Sequence, residues 1–355
     1  MSADVSNRND RPASGRYGFV DYAKGLCIIL VVMLHSTKGV GEAMGGEGFL
    51  HAVVEFARPF RIPAFFVVAG LFMAKALQRT WPDYLDRKVV YFAYFYGLWV
   101  VIHSLVRSPG LIIHGDYSVL LQFVLAPVQP YSMLWFIYLL PVFFLAGRLF
   151  RDVPAPLVFL AAALLETARI QTGWSLVDHF AARWVYFVAG ATLAPAVFAM
   201  TRQVVSRPVW AAGLILAFAM TEAVLTTTFM ADGTRVSAMQ GLSLALGLTG
   251  AAALIAVSAL LARFGIAGWI AFCGRRSLII YLAFFLPMAG VRTVLIKSGL
   301  VTDIGTVSLL VTAAAVGGAL LIEWATRSTP LRFLFRRPDW FRLTAPQSLR
   351  ARSAG

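Results

Sequence analysis

Three ionisable residues in one apolar run, DYAKGLCIILVVMLH, have the types and the spacing to do chemistry: Asp21, Lys24 and His35. On an α-helix turning about 100° per residue, the steps from Lys24 to His35 make three turns and about 20° more, and Asp21 falls on the same face. At a rise of about 1.5 Å per residue, Lys24 and His35 lie about 16 Å apart, roughly half the thickness of a bilayer core. Ionisable groups in a membrane helix are costly unless they face protein or a wet cavity, so the stripe predicts a lined channel or pocket. The plainer alternative is a helix start anchored by Asp21 and Lys24, with one hydrogen-bonded core histidine.

The imidazole of His35 is the side chain whose ordinary pKa suits proton abstraction near neutrality. Lys24 supplies a cation of the kind that phosphate groups seek, and the later segment DRKVV adds Arg87 and Lys88. Together these fit a hydroxyl attacking the thioester of a phosphate-bearing donor. Asp21 can pair with Lys24 and fix its direction, or form a plain helix-surface ion pair. Arg58 and Arg61 are near neighbours on a helix, placed to hold an acceptor or an oxyanion, or to pair with Glu55, Glu42 or Glu47. Trp135 suits either a sugar face or a membrane interface.

Other candidates point to less. Glu222 lies inside an apolar run without a sequence partner, and is therefore either protonated or turned to a cavity. His51, His103, His114 and His179 fall near the outer face and lack carboxylate or Cys companions at ligand spacing, which predicts interfacial positions and no metal site. Cys27 and Cys273 sit in or beside apolar segments and are read as packing residues.

The elements that must position these residues are membrane helices. The chain has 355 residues, 59% of them hydrophobic and only 14% charged, which excludes an ordinary soluble domain. The net charge of +14 is spread between apolar segments rather than gathered on a nucleic-acid-binding face, so no nucleic acid is expected. Spans are predicted at about 19–37, 52–77, 89–106, 132–150, 155–171, 183–200, 208–230, 239–262, 277–296 and 304–325. The fold class is thus an all-α, polytopic transmembrane bundle of about ten spans. Pro59 and Pro63 predict a kink at the start of the second span. The stretch KGVGEAMGGEGF is too glycine-rich for a helix and is read as a mobile strip, and LIIHGDYSVLLQFVLAPVQPY as interfacial or re-entrant.

Three regions follow: a disordered tail at 1–17, a transmembrane domain at 18–326, and a basic tail at 327–355 expected on the anionic inner leaflet. Most of the 31 Lys and Arg fall in connections on the side of the two termini, which predicts that both are cytoplasmic in a bacterial inner membrane.

Several of these pieces occur together elsewhere. A Lys, ten residues and a His open the chain. An aromatic, Pro-rich start to the second span follows (PFRIPAFFVVAGLF), then a basic segment (DRKVV), a Leu-Trp-aromatic start (MLWFIY) and a late GRRSLIIYL. In this order, over about 20–290, the chain resembles the membrane acyltransferase 3 family, nearest its fucose 4-O-acetylase-like members. Departures are Arg87-Lys88-Val-Val-Tyr91, where many members carry a second Arg. There is also no His after Tyr281-Leu282, where Ala283 and Phe284 follow, and Ala69 stands where Ser is common. The resemblance implies an acyl-CoA donor, acetyl-CoA first among them. It also implies a glycan or lipid-linked sugar as acceptor, and His35 as base or transient acyl carrier. The rival reading, from a different class, is a transporter or flippase with Asp21, Lys24 and His35 along its path.

Overall fold

The computed structural model describes residues 17–113, 115–230 and 233–344. The expected disorder at 1–16, His114, and the end of the basic tail at 345–355 lie outside them. Among the described residues the structure is helical throughout, with one isolated bridge between Phe229 and Arg235.

The first helix, Gly18–Met44, is the axis of the bundle, packed against Arg61–Gly70, Leu242–Phe264, Gly268–Arg275 and Ile304–Thr326. Its buried stripe of Ala23, Cys27, Ile28 and Val32 is completely enclosed at the spacing one helix face requires. It runs on through Lys38–Met44 and ends at Gly45, whose φ of 72° makes the left-handed cap. The strip expected at KGVGEAMGGEGF is therefore helical over its first half. Glycine costs about 1 kcal/mol in a helix, but here small residues let neighbours in. Arg292 lies where a Cβ of Gly39 would stand, His51 where one of Gly41 would, and Val40 is wholly buried.

Among the described residues, six helices are long and apolar enough to cross a membrane, or eight if two bent pairs each count as one span. The expected ten is thus too many. Two of the predicted spans are short or broken: 155–171 holds the 13-residue helix Ala155–Thr167, and 52–77 is divided into Phe49–Phe56, Arg61–Gly70 and Met73–Leu77. Hydropathy measures the length of an apolar run and does not register where proline interrupts it. Pro59 lies in the first break, as anticipated. The Arg61 guanidinium donates to the Val54 carbonyl across that break at 2.6 Å, taking up an acceptor that the helix no longer uses.

The bent pairs matter more for function. Ser277–Ala283 and Phe285–Ser298 meet at 54°, with Phe284 at the corner, while Ser175–Thr192 and Ala194–Ser206 meet at 70°. The stretch after Ile113 forms the short helix Ser118–Leu125, with Leu120, Leu121, Phe123 and Val124 exposed, in keeping with the interfacial reading.

Helices cross closely where glycine allows. Gly274 abuts the Asp21 carbonyl, Gly25 the Ile270 carbonyl, and Gly190 the Val67 carbonyl, the small-residue packing that holds membrane helices together. Cys27 and Cys273 are both buried and free, as packing residues would be.

The described part of the basic tail folds back onto the bundle. Tyr94 donates to the Phe333 carbonyl at 3.0 Å and Trp99 Nε1 to the Leu334 carbonyl at 3.1 Å. Arg337 pairs with Asp86 at 2.7 Å, both side chains nearly buried. This segment and the start of the first helix therefore occupy the same end of the bundle.

Candidate active site

Two cavities open at that end. The inner one, about 320 Å³, is walled by Asp21 and Lys24 of the first helix, Lys88, the aromatic rings of Phe65, Phe136 and Phe144, and Arg275, Ser277 and Tyr281 of the late motif. Close contact at Gly274 brings Arg275 and Ser277 beside Lys24, so the glycine of GRRSLIIYL is a positional requirement of the site. Tyr281 is buried; it donates to the Met133 carbonyl and accepts from the Phe136 amide, tying the late motif to the MLWFIY helix. The larger, outer cavity, about 1430 Å³, shares Lys88 and Tyr91 with the inner one and adds Arg79, Arg87 and several arginines of the tail. Lys88 Nζ sits 4.1 Å from the centre of the Phe144 ring, a cation–π contact that keeps it aimed along the shared wall.

His35 lies farther along the same helix and lines neither cavity. Its ring is half-buried, 5.5 Å from that of Phe284. Phe284 follows Tyr281 by three residues, so the corner of the bent span joins the deep wall of the inner cavity to the imidazole.

The remaining candidates divide. Arg61 is buried with its Nε unpartnered among the described residues, whereas Arg58 is exposed and pairs with Glu55 at 3.3 Å. Glu55 also pairs with Arg235 at 3.3 Å. Arg58 thus takes the surface-pairing alternative, while Arg61 is buried and lines neither cavity. If the unpartnered face of Arg61 serves the reacting centre, Arg61→Ala should lower acyl transfer at least tenfold while Arg58→Ala leaves it within twofold; initial rates in vesicles would separate them. Trp135 is half-buried, with the His179 ring 5.1 Å away and the Arg183 guanidinium 4.8 Å. Asp21 is buried beside Lys24, and Arg87 is exposed at the outer mouth.

Sequence reasoning missed three things here. His103, expected at an interface, is buried against the Phe285 ring, with Nε2 3.3 Å from the Leu282 carbonyl. The helix Tyr91–Ile113 extends well past the predicted end of the third span and so carries residue 103 into the interior. Arg183 contacts His179 at 2.9 Å, and nothing in its sequence surroundings marked it. Arg275, Ser277 and Tyr281 line the inner cavity; the motif itself was the signal, but only the helix crossing shows which way it faces. Glu222 is fully enclosed, neither oxygen accepts a hydrogen bond from a described residue, and it lines neither cavity.

No curated protein and no solved structure matches the chain. A family model described as an acyltransferase domain matches residues 17–327, most of the length and all of the residues that wall the inner cavity. A match of that extent leaves an enzyme rather than a transporter, a multi-pass membrane protein that transfers acyl groups, and the chain belongs to the membrane acyltransferase 3 family.

Proposed function

We propose that this acyltransferase moves a short acyl group, acetyl being the simplest, from cytoplasmic acyl-CoA to a hydroxyl of an extracytoplasmic glycan or lipid-linked sugar. The carrying observation is the polarity of the first helix. Lys24 opens at one end onto a cation-lined cavity, and His35 lies about 16 Å along the same face, beside the corner of a broken span. A donor whose phosphates rest at the cationic mouth would extend its acyl arm past Tyr281 toward Phe284 and His35. Orientation follows from charge: the cavity end carries the tail and the basic segment, the pattern of a cytoplasmic face. The protein would then sit in the inner membrane with both termini inside.

In the transfer itself, Nε2 or Nδ1 of His35 takes the proton from the acceptor hydroxyl as its oxygen attacks the thioester carbonyl. The buried Arg61, with Nε unpartnered among the described residues, is the cation available to the tetrahedral oxyanion. Its collapse breaks the C–S bond, and the imidazolium returns the proton to the departing thiolate, leaving an ester and free CoA. Lys24 and Lys88 act only on the donor, through charge-assisted contacts with phosphate.

Calorimetric titration of CoA into the purified protein is the direct test. The parent should bind CoA, and Lys24→Ala should bind it about tenfold more weakly, with Lys24→Arg restoring most of the affinity. A parent that does not bind CoA would remove the donor assignment.

A further inference from the structure

The outer cavity has two walls of different origin. One is the segment Arg79–Leu98 inside the matched domain; the other, residues 330–344, lies beyond residue 327, where the family match ends. Seven cations line this space against two acids, Asp86 and Asp339. Both acids are already engaged. Asp86 accepts from Arg337 Nη2 at 2.7 Å and from the Leu343 amide at 2.7 Å, and Asp339 pairs with Arg342 at 3.0 Å. Arg332 and Arg336 form no ion pair among the described residues, and both are exposed.

Asp86, Arg337, Tyr94 and Trp99 use buried polar contacts to hold the backbone in one place, which leaves the arginines on either side directed by a fixed support. Aromatic surface is interleaved with the charge: Tyr91, Tyr94 and the largely exposed Trp340 line the same cavity. Cations with planar rings suit a phosphorylated nucleotide, whose base stacks while its phosphates take bidentate guanidinium contacts. At about 1430 Å³ the space also exceeds the roughly 300–1,000 Å³ of ordinary small-ligand pockets.

We infer that the C-terminal segment 330–344 is the far wall of the donor site and binds the 3′-phosphorylated adenosine diphosphate end of the acyl donor, through Arg332 and Arg336 with Trp340 available to the base. The inference rests on the acyl-CoA reading above. It assigns the nucleotide to residues outside the matched acyltransferase domain, while Lys24 and Lys88 meet the arm farther in.

The probe is adenosine 3′,5′-bisphosphate, titrated by calorimetry into the full chain held in nanodiscs of neutral lipid, with CoA and pantetheine in parallel. Arg332→Ala/Arg336→Ala should weaken adenosine 3′,5′-bisphosphate and CoA at least tenfold and leave pantetheine unchanged, whereas Arg332→Lys/Arg336→Lys should recover part of the loss. Because both side chains are exposed, the thermal midpoint of the double variant should match the parent. If the parent binds CoA and the double variant binds it equally well, the tail has no part in donor binding, and the donor reading stands. If the parent binds neither CoA nor the bisphosphate, both readings fall. The same phosphate-seeking arginines would serve a lipid headgroup. Loss of bisphosphate binding on changing to nanodiscs rich in phosphatidylglycerol would assign the cavity to lipid and overturn the nucleotide assignment.

Discussion

His35→Ala should reduce acyl transfer by about 10²- to 10⁴-fold, the usual consequence of removing a general base, while leaving CoA affinity as in the parent. The separation follows from position. His35 lines neither cavity, so a donor seated on Lys24, Lys88 and the mouth loses no contact when the imidazole goes. A missing ring also leaves a void beside Phe284, which could lower activity for reasons of packing alone. His35→Gln answers that objection, since it fills much of the space and keeps a hydrogen-bonding group without a titratable base. Both variants should be equally inactive in single-turnover assays with preloaded donor. A Gln variant that keeps more than about a tenth of the parent's rate would show that His35 supports structure rather than proton transfer.

How much of this could be read from sequence depends on the kind of interaction involved. The shared face of Asp21, Lys24 and His35 is a consequence of helical period alone, and the first helix has that period. The break at Pro59 was legible for a similarly local reason, the missing amide of proline. Three other features depend on partners remote in the chain. At Gly39, inside the first helix, the Arg292 guanidinium occupies the space that a larger side chain would need, so remote packing favours a residue of low helix propensity there. His103 is interior because its helix is longer than the apolar run suggested and its ring meets Phe285. The tail, rich in arginine and tryptophan, has the composition of a membrane-surface segment. Its contacts with the bundle run to Tyr94, Trp99 and the buried Asp86, the last some 250 residues earlier. Composition reports charge, and only the fold reports where a counter-charge has been buried.

The same dependence on remote backbone makes Gly274→Ala the most damaging single-atom addition open to test. A Cβ at Gly274 would stand 1.7 Å from the Asp21 carbonyl oxygen and 2.8 Å from the Gly25 amide nitrogen. Both are main-chain atoms within the first helix, so no rotamer change can relieve the overlap; the helix Gly268–Arg275 must move away from Gly18–Met44. Overpacking commonly costs about 1–3 kcal/mol where side chains can adjust, and a clash between two backbones belongs at or above the upper end. Separation of these helices also withdraws Arg275 and Ser277 from Lys24, because all three line the inner cavity. Gly274→Ala should therefore lower the thermal midpoint by several degrees and weaken CoA binding at least tenfold, even though the residue itself would touch no ligand. Gly290→Ala is the matched control: Gly290 lies in the helix Phe285–Ser298, and nothing stands within 4 Å of the added carbon. It should bind CoA as the parent does and melt no lower, since alanine is the better helix former. Equal behaviour of the two variants would mean that the crossing at Gly25 and Gly274 does not set the geometry of the donor cavity. Loss confined to Gly274→Ala would show that this glycine acts through the closeness of two helices rather than through any contact with substrate.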